Sequence, residues 1–124
     1  MNIQLSLKKK WFDPTKKLIK REDYRELTPY WYVRLVLFDG TKRSKAFWED
    51  MTDIDGNIEW CFWMKFKKFA TNTMTLGYPK STDTERIITL KHEGIEIRTG
   101  NPDWGAEPNK RYFVIMHGRS LHEA

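Results

Sequence analysis

The chain has 124 residues, of which 40% are hydrophobic, 15% aromatic and 31% charged, and this composition predicts one globular domain with an aromatic-rich core. A single cysteine excludes an intramolecular disulfide framework, and no apolar run approaches the roughly 20 residues that a membrane span requires. The basic N-terminus is not followed by an apolar segment, so no signal peptide is expected, and the expected location is the cytoplasm.

The net charge of +5 is unevenly distributed along the chain. Residues 1–45 hold 12 Lys and Arg against 5 Asp and Glu, a net charge of +7, whereas residues 46–124 carry −2. A localised basic surface is what a polyanionic partner such as a nucleic acid requires. A lysine-rich, solvated helix face is the alternative explanation for the same pattern.

The first predicted elements are a strand and a helix. Residues 2–7 alternate apolar and polar side chains, which predicts a half-buried strand. From Lys8 onward the apolar residues recur every three to four positions, which predicts a helix. Pro14 fits only near a first helical turn, so either Asp13 caps a helix that begins at Pro14 or an earlier helix bends there. Both alternatives stay open at this point.

An extended segment and two short helices are expected next. Residues 21–27 alternate again and predict a strand. Thr28 is a suitable N-cap for a helix that begins at Pro29 and ends at Asp39-Gly40. Residues 41–51 predict a second short helix, followed by a turn at "DIDGN".

The remaining segments are predicted to be mainly strands. They are residues 58–66, with Ile58, Trp60, Phe62, Met64 and Phe66 on one face, then 71–77, then 84–100 with a possible break at Gly94, and finally 111–118. Residues 101–110 form a loop rich in Pro and Gly. About six strands with two or three helices, mostly near the N-terminus, predict an α+β fold with a curved or closed sheet, a small β-barrel.

Several kinds of chemistry lack their sequence signals. The three histidines, His92, His117 and His122, form no short paired spacing with another ligand type, so no metal and no cofactor are expected. No nucleophile elbow, P-loop or dinucleotide-binding fingerprint occurs in the chain. His117 is expected to be packed or hydrogen-bonded in the last strand, and Cys61 to be a small buried apolar residue.

A cluster of charged residues follows the first predicted helix. If that helix ends near Lys20 and the chain then extends, Asp23 and Arg25 share one face and Lys20 folds back beside them. A partly desolvated lysine beside a carboxylate can act as a base or nucleophile, and an arginine can hold a carbonyl, carboxylate or phosphate. Spacing alone favours exposed ion pairs instead, each worth roughly 0–1 kcal/mol.

Three stretches of the chain together resemble the ASCH family of the PUA-like superfamily, in particular its small phage and gut-bacterial branch. They are "LSLKKKWFD", "EDYRELTPYW" and "GNPDWGAEPNKRYFVIMHG". The resemblance covers roughly residues 3–38 and 74–118. Residues 39–70 have no clear counterpart and are interpreted as an insert within a single domain that spans residues 1–124.

The ASCH motif of glycine, lysine, an acidic residue and arginine corresponds here to Leu18, Lys20, Asp23 and Arg25. Lys20 and Arg25 match, Asp23 replaces the usual glutamate, and Leu18 replaces a glycine that would permit a left-handed turn. The resemblance implies a small β-barrel with helices at its rim. It also implies a cleft beside the motif that suits RNA or a nucleobase.

Some proteins of this family are amidohydrolases that remove the acetyl group from acetylated cytidine with a lysine, a threonine and a downstream glutamate. The resemblance therefore makes Lys20, as base or nucleophile, and Asp23, at the threonine position, the candidate catalytic residues. Glu85 and Glu107 are candidates for the glutamate by location. A non-catalytic accessory domain that binds another protein is a further alternative, which the replacement of glycine by Leu18 favours.

The candidate ligand-binding residues are Arg25, Tyr24, Lys9 and Trp104. Lys9 and its neighbouring lysines would attract phosphates, and Tyr24 would line the cleft. Trp104 lies in a Pro- and Gly-rich loop, where packing against the core is favoured over stacking on a base. RNA or a nucleoside is the expected partner, with no membrane, metal or cofactor.

Overall fold

The computed structural model describes residues 1–122. Three α-helices and seven strands occur in this part of the chain. In order they are β1 (Asn2–Leu7), α1 (Lys9–Lys16), β2 (Glu22–Arg25), α2 (Pro29–Leu35), β3 (Val36–Phe38), α3 (Lys45–Asp50), β4 (Met64–Phe66), β5 (Thr71–Leu76), β6 (Ile87–Thr99) and β7 (Arg111–Ser120). Two short 3₁₀ turns span Thr84–Arg86 and Pro102–Trp104.

The main sheet has five strands in the order β1-β5-β6-β7-β2. β1 runs parallel to β5, and the other neighbouring pairs are antiparallel. The sheet curls into a half-barrel, and β3 and β4 form a small second sheet. This architecture confirms the predicted α+β class with a barrel-like sheet and helices near the N-terminus.

The longest strand, β6, contains the irregularity that the sequence suggested. Its pairing with β7 shifts register on both sides of His92, between Leu90 and Gly94. Gly94 has a φ of +124°, which residues with a side chain rarely adopt. Such bulges bend a strand and increase its twist, so they help this 13-residue strand to follow the curl of the sheet.

The main core cluster combines alternate residues of β1 with residues of α2 and α3. In β1 the residues Ile3, Leu5 and Leu7 are buried and alternate with exposed polar residues, as predicted. Tyr32 of α2 and Trp48 of α3 are fully buried in the same cluster. Segment 39–70 therefore contributes directly to the main core instead of forming a separate unit.

The helix α1 resolves the question that Pro14 raised. It begins at Lys9 and continues through Pro14, so the alternative in which a helix begins before the proline is correct. Its first turn is closed by the Lys8 carbonyl, which accepts from the backbone N–H groups of Trp11 and Phe12. Asp13 lies within the helix and does not cap it.

Two predicted elements differ in the structure. The helix α2 ends at Leu35 and not at Gly40, because Val36–Phe38 pair with Met64–Phe66 as strands. The strand predicted over residues 58–66 is reduced to its last three residues, and Phe62 is 89% exposed. The predicted apolar face is wrong there, because β4 has only the three residues of β3 as a pairing partner.

The helices in the described part of the chain can also be compared with the length of a membrane span. None of those within residues 1–122 is both long enough and apolar enough to cross a bilayer.

Candidate ligand-binding site

A tight turn after α1 brings Lys20 back toward the sheet. The Pro14 carbonyl accepts from the backbone N–H groups of both Ile19 and Lys20, at 2.9 and 3.1 Å. Leu18 in this turn has a φ of 59°, in the left-handed region that costs a non-glycine residue about 1–2 kcal/mol. Leu18 thus adopts a backbone conformation that glycine would favour.

Lys20 and Asp23 form a buried ion pair at the end of this turn. The Nζ atom of Lys20 donates to Oδ1 of Asp23 at 2.5 Å and to the Glu22 carbonyl at 2.7 Å. The two side chains are only 2% and 3% exposed, so the expectation of exposed ion pairs is wrong for these residues. The predicted approach of Lys20 to Asp23 is confirmed.

Burial and pairing shift the pKa values of both groups. Burial lowers the pKa of Lys20, and the Asp23 carboxylate only partly offsets this effect. Burial alone would raise the pKa of Asp23, but the hydrogen bond from His117 and the positive charge of Lys20 outweigh it. The pKa of Asp23 is therefore held well below its ordinary value of 3.8, and the group is a carboxylate at neutral pH.

His117 holds the Asp23 carboxylate in place, and Asn72 in turn holds His117. Nε2 of His117 lies 2.6 Å from Oδ2 of Asp23, and Nδ1 of His117 lies 2.8 Å from Nδ2 of Asn72. Nδ2 of Asn72 also donates to the Met116 carbonyl, at 3.1 Å. If the Asn72 side-chain amide were flipped, its Oδ1 atom would face the Met116 carbonyl oxygen, and two acceptors would be in contact. Nδ2 therefore occupies this side and donates to Nδ1 of His117, so the imidazole proton resides on Nε2. His117 consequently donates to Asp23.

The hydrogen-bond chain ends at His92, whose Nδ1 lies 2.8 Å from Oδ1 of Asn72. Because Oδ1 can only accept, Nδ1 of His92 is the donor. Burial lowers the pKa of His92, in keeping with a neutral ring. Asp23, His117, His92 and Asn72 come from β2, β7, β6 and β5, so one polar residue from each of four strands supports Lys20.

A cavity of about 850 Å³ opens above the Lys20–Asp23 pair, within the size range of small-molecule sites. It is called the main cavity below. Aromatic and basic side chains dominate its lining: Trp11, Tyr24, Tyr30, Trp31, Tyr78, Trp104 and Tyr112, with Lys8, Lys20, Arg25 and Arg34. The predicted site residues Lys20, Asp23, Tyr24, Arg25 and Trp104 all border it.

Tyr24 is fixed in the cavity wall by two hydrogen bonds. Its hydroxyl donates to Oε1 of Glu22 at 2.7 Å and accepts from the backbone N–H of Asn101 at 2.8 Å. Glu22 is in turn held by Arg98, whose Nη2 lies 2.7 Å from Oε2. Burial, together with the Glu22 hydrogen bond, raises the pKa of Tyr24, so this ring stays a neutral phenol. Tyr24 therefore forms part of the wall of the main cavity.

Arg25 presents its guanidinium along the opposite side of β2 from Tyr24. Nη1 donates to the Tyr24 carbonyl at 2.9 Å, and Nη2 to the Ser6 carbonyl at 3.3 Å. The group lies 5.4 Å from the centre of the Trp31 ring, a cation–π distance. A guanidinium has five N–H donors, so two backbone contacts leave others that can serve a ligand.

The loop after β6 forms one rim of the main cavity. The side chain of Asn101 accepts from the backbone N–H of Asp103 at 2.9 Å and stabilises the 3₁₀ turn that carries Trp104. Gly105 has a φ of 101°, and a Cβ atom there would approach the Trp11 ring to 2.9 Å. Glycine therefore allows this loop to pack on Trp11. Trp104 is half-buried and contributes to the cavity wall.

Other predicted residues lie elsewhere. Lys9 does not border the main cavity; its amine pairs with Asp13 at 2.9 Å on the exposed face of α1. Glu85 is exposed and pairs with Lys16 at 3.2 Å, also outside the cavity. Glu107 does border it. Segment 39–70 contributes no residue to its lining.

Sequence reasoning missed Asn72 and His92 as parts of the site. The one available signal was the position of Asn72, two residues before Met74 on the buried face of a predicted strand. An amide on such a face requires hydrogen-bond partners, but the sequence does not say which. His117 was expected to be packed or hydrogen-bonded, and the structure confirms this.

The fold and the cavity together define a small α+β domain with a basic, aromatic-lined cleft. Comparison with protein-family models, with curated proteins and with solved structures finds no match for this chain. The resemblance to the ASCH family therefore stays a prediction. Within residues 1–122, no group of three or more His, Cys, Asp and Glu side chains is arranged to hold a metal ion.

Proposed function

We propose that the protein binds a nucleobase, as part of RNA or of a modified nucleoside, in the main cavity. The observation that supports this proposal is the combination of aromatic walls with a buried amine at the floor. Aromatic rings stack on the flat face of any base, and N–H donors bind the carbonyl and ring-nitrogen acceptors on its edge. A purely apolar ligand would leave the buried polar groups without new partners.

Lys20 is suited to recognise a base edge. A protonated lysine has three N–H donors, and two are used by Asp23 and the Glu22 carbonyl. One donor therefore remains for a ligand acceptor. The rings of Trp11 and Tyr24, each about 6 Å from the amine, limit the directions from which a ligand can reach this third N–H group. The hydrogen bonds from His117 and Lys20 fix the Asp23 carboxylate and so hold the amine in place.

Binding is tested with nucleosides, including acetylated cytidine, and with short single-stranded RNA, by titration calorimetry. Trp104→Ala is expected to lower the affinity about 5- to 150-fold if the ring stacks on the base, which corresponds to about 1–3 kcal/mol. Trp63→Ala is the matched control, because Trp63 is 54% exposed and does not border the main cavity. Equal effects of the two substitutions would exclude Trp104 as the stacking residue, and no binding by the native protein would refute the proposal.

RNA affinity is also expected to fall steeply with salt. In a plot of the logarithm of the binding constant against the logarithm of the salt concentration, each phosphate contact of a single strand adds about 0.7 to the steepness of the slope. Lys8 borders the cavity, whereas Lys9 and Lys16 are already paired with carboxylates. We therefore expect Lys8→Ala to reduce the slope more than Lys9→Ala.

A second candidate function is hydrolysis of an acyl-amino base such as acetylated cytidine. The observation that favours it is the position of the Lys20 amine at the cavity floor beside the Asp23 carboxylate, where burial lowers the pKa of the amine and so eases the loss of its proton. Lys20 would take a proton from the attacking water and deliver it to the departing amine as the C–N bond breaks. The products would be acetate and the free base. Glu107, at the cavity rim, is the better placed of the two acidic candidates.

Release of cytidine from acetylated cytidine is measured by chromatography for the native protein and for Lys20→Ala. Product from the native protein alone would support hydrolysis, and tight binding without product would leave recognition as the function. Capture of a protein partner, with no binding of nucleosides or RNA, would instead favour the accessory-domain alternative.

A further inference from the structure

A second cavity, of about 490 Å³, adjoins the main cavity. Three residues border both of them: Gln4 of β1 and Trp31 and Arg34 of α2. The second cavity extends from this shared edge to Lys42 and to Lys67, which directly follows β4. The two cavities are therefore neighbours, with Trp31 and Arg34 at their common edge.

Lys67 is a buried cation without a carboxylate partner in the described part of the chain. The residue is 8% exposed, and its amine donates to the Val33 carbonyl at 2.8 Å. Across residues 1–122, no ion pair involves Lys67, Lys42 or Arg34. No Asp or Glu belongs to the lining of the second cavity. Three basic side chains thus border one hollow that lacks a described counter-charge.

The electrostatic environment of this hollow favours an anion. Burial lowers the pKa of Lys67, and the positive charges of Lys42 and Arg34 lower it further. An anion that entered the cavity would relieve this repulsion and would restore the favourable energy of the ammonium form. Arg34 is preorganised for such a contact, because its guanidinium stacks 3.5 Å above the Tyr30 ring and donates to the Tyr30 carbonyl at 2.9 Å.

We propose that the second cavity binds the phosphate that adjoins a base held in the main cavity, with Lys67, Lys42 and Arg34 as its ligands. Every base in a strand is flanked by phosphates, whereas a free nucleoside has none. The proposal rests on the function proposed above and deepens it. It makes the ligand a nucleotide within single-stranded nucleic acid and not a free nucleoside. Arg34, which borders both cavities, would bridge base and phosphate.

The test measures the affinity of the protein for a nucleoside and for a short single-stranded oligonucleotide of the same base, in RNA and DNA forms. Both ligands are measured with the native protein, with Lys67→Met and with Lys68→Met. Lys68 is the matched control, since it is the adjacent lysine, is exposed and borders neither cavity. Methionine keeps most of the apolar stem of lysine and removes the charge. Circular dichroism of each variant verifies that the fold is retained.

The native protein is expected to bind the oligonucleotide at least about 10-fold more tightly than the nucleoside at low salt. Lys67→Met is expected to remove most of this gain, to reduce the logarithmic salt slope by about 0.7, and to leave nucleoside affinity unchanged. Lys68→Met is expected to change the oligonucleotide affinity less than about 2-fold, because a peripheral charge contributes only screened attraction.

Each contrary outcome has a distinct meaning. If the nucleoside binds and the oligonucleotide binds no more tightly, the phosphate site is refuted while the base site stands. If Lys67→Met and Lys68→Met lose the same oligonucleotide affinity, the lysines act only by general charge attraction, and the phosphate site is again refuted. If inorganic phosphate binds as tightly as the oligonucleotide, the cavity is an independent anion site and not part of a strand-binding surface. If neither nucleoside nor oligonucleotide binds, the proposed function itself fails.

Discussion

The two cavities each contain a buried lysine, and the two lysines differ in what surrounds them. Lys20 is 2% exposed and is paired with the Asp23 carboxylate, which His117 also holds. Lys67 is 8% exposed and has a backbone carbonyl as its acceptor, with two further cations nearby. The same residue type is thus part of a neutralised network at one site and of a cationic hollow at the other.

Because of this difference, the charge of Lys20 is part of a pair that the fold requires, whereas the charge of Lys67 lowers the stability of the fold. Removing one member of a buried pair leaves the other member uncompensated, which is strongly destabilising. Removing a buried cation that has no counter-charge relieves a desolvation penalty instead. An arrangement that reduces stability is typical of binding sites, where the ligand supplies the missing partner.

The largest effect is expected from breaking the Lys20 network. Asp23→Ala would leave Lys20 and His117 buried without their acceptor, and we expect the free energy of unfolding to fall by about 3–5 kcal/mol. Chemical denaturation measures this change. The double variant Lys20→Met/Asp23→Leu is the control and should lose much less, because neither charge remains. A loss below about 1 kcal/mol in Asp23→Ala would contradict the structural role of the pair.

Acid should act on the same network with a smaller effect that depends on pH. The pKa of Asp23 is lower in the folded protein than its ordinary value of 3.8, so the unfolded chain binds this proton more readily. The resulting stability is present above about pH 5 and is lost as the pH falls through 4 and below. Denaturation curves at several pH values measure it. Asp23→Asn should flatten the dependence in this window, and an unchanged slope would argue against Asp23 as its source.

The smallest effect is expected at Lys67, and it has the opposite sign. Lys67→Met should leave the free energy of unfolding unchanged or raise it by up to about 1 kcal/mol, because a buried cation without a carboxylate is removed. Lys68→Met should stay within about 0.5 kcal/mol of the native value. Thermal and chemical denaturation provide the measurement. A clear loss of stability in Lys67→Met would mean that its hydrogen bond to Val33 outweighs its burial.

The local patterns of the chain predicted several elements well. The alternation in β1 and the long strand β6 with its irregularity near Gly94 are present, as is the helix that starts at Pro29. These elements are encoded by residue periodicity and by turn chemistry, which depend on neighbours in the sequence. The Lys20–Asp23 approach was also predictable, because the two residues are only three positions apart, where the chain passes from the turn after α1 into β2.

The failures occurred where distant segments decide the outcome. Val36–Phe38 were predicted to be helical but form a strand, because they pair with Met64–Phe66. Phe62 lies on the surface, although its spacing matches that of buried neighbours. The charged residues after α1 looked like exposed ion pairs because the sequence does not reveal how much of the chain will cover them. Propensity is a weak guide whenever tertiary pairing competes with it.

The sequence by itself determined the α+β class, the concentration of basic charge near the N-terminus and the proximity of Lys20, Asp23 and Arg25, because all three depend on composition or on short-range spacing. Only the tertiary structure decided that Lys20 is buried, that Asn72 and His117 orient its partner, and that Lys67 borders a second cationic cavity. The physical reason is that burial and hydrogen-bond partners are set by strands far apart in the chain, such as β2, β5 and β7.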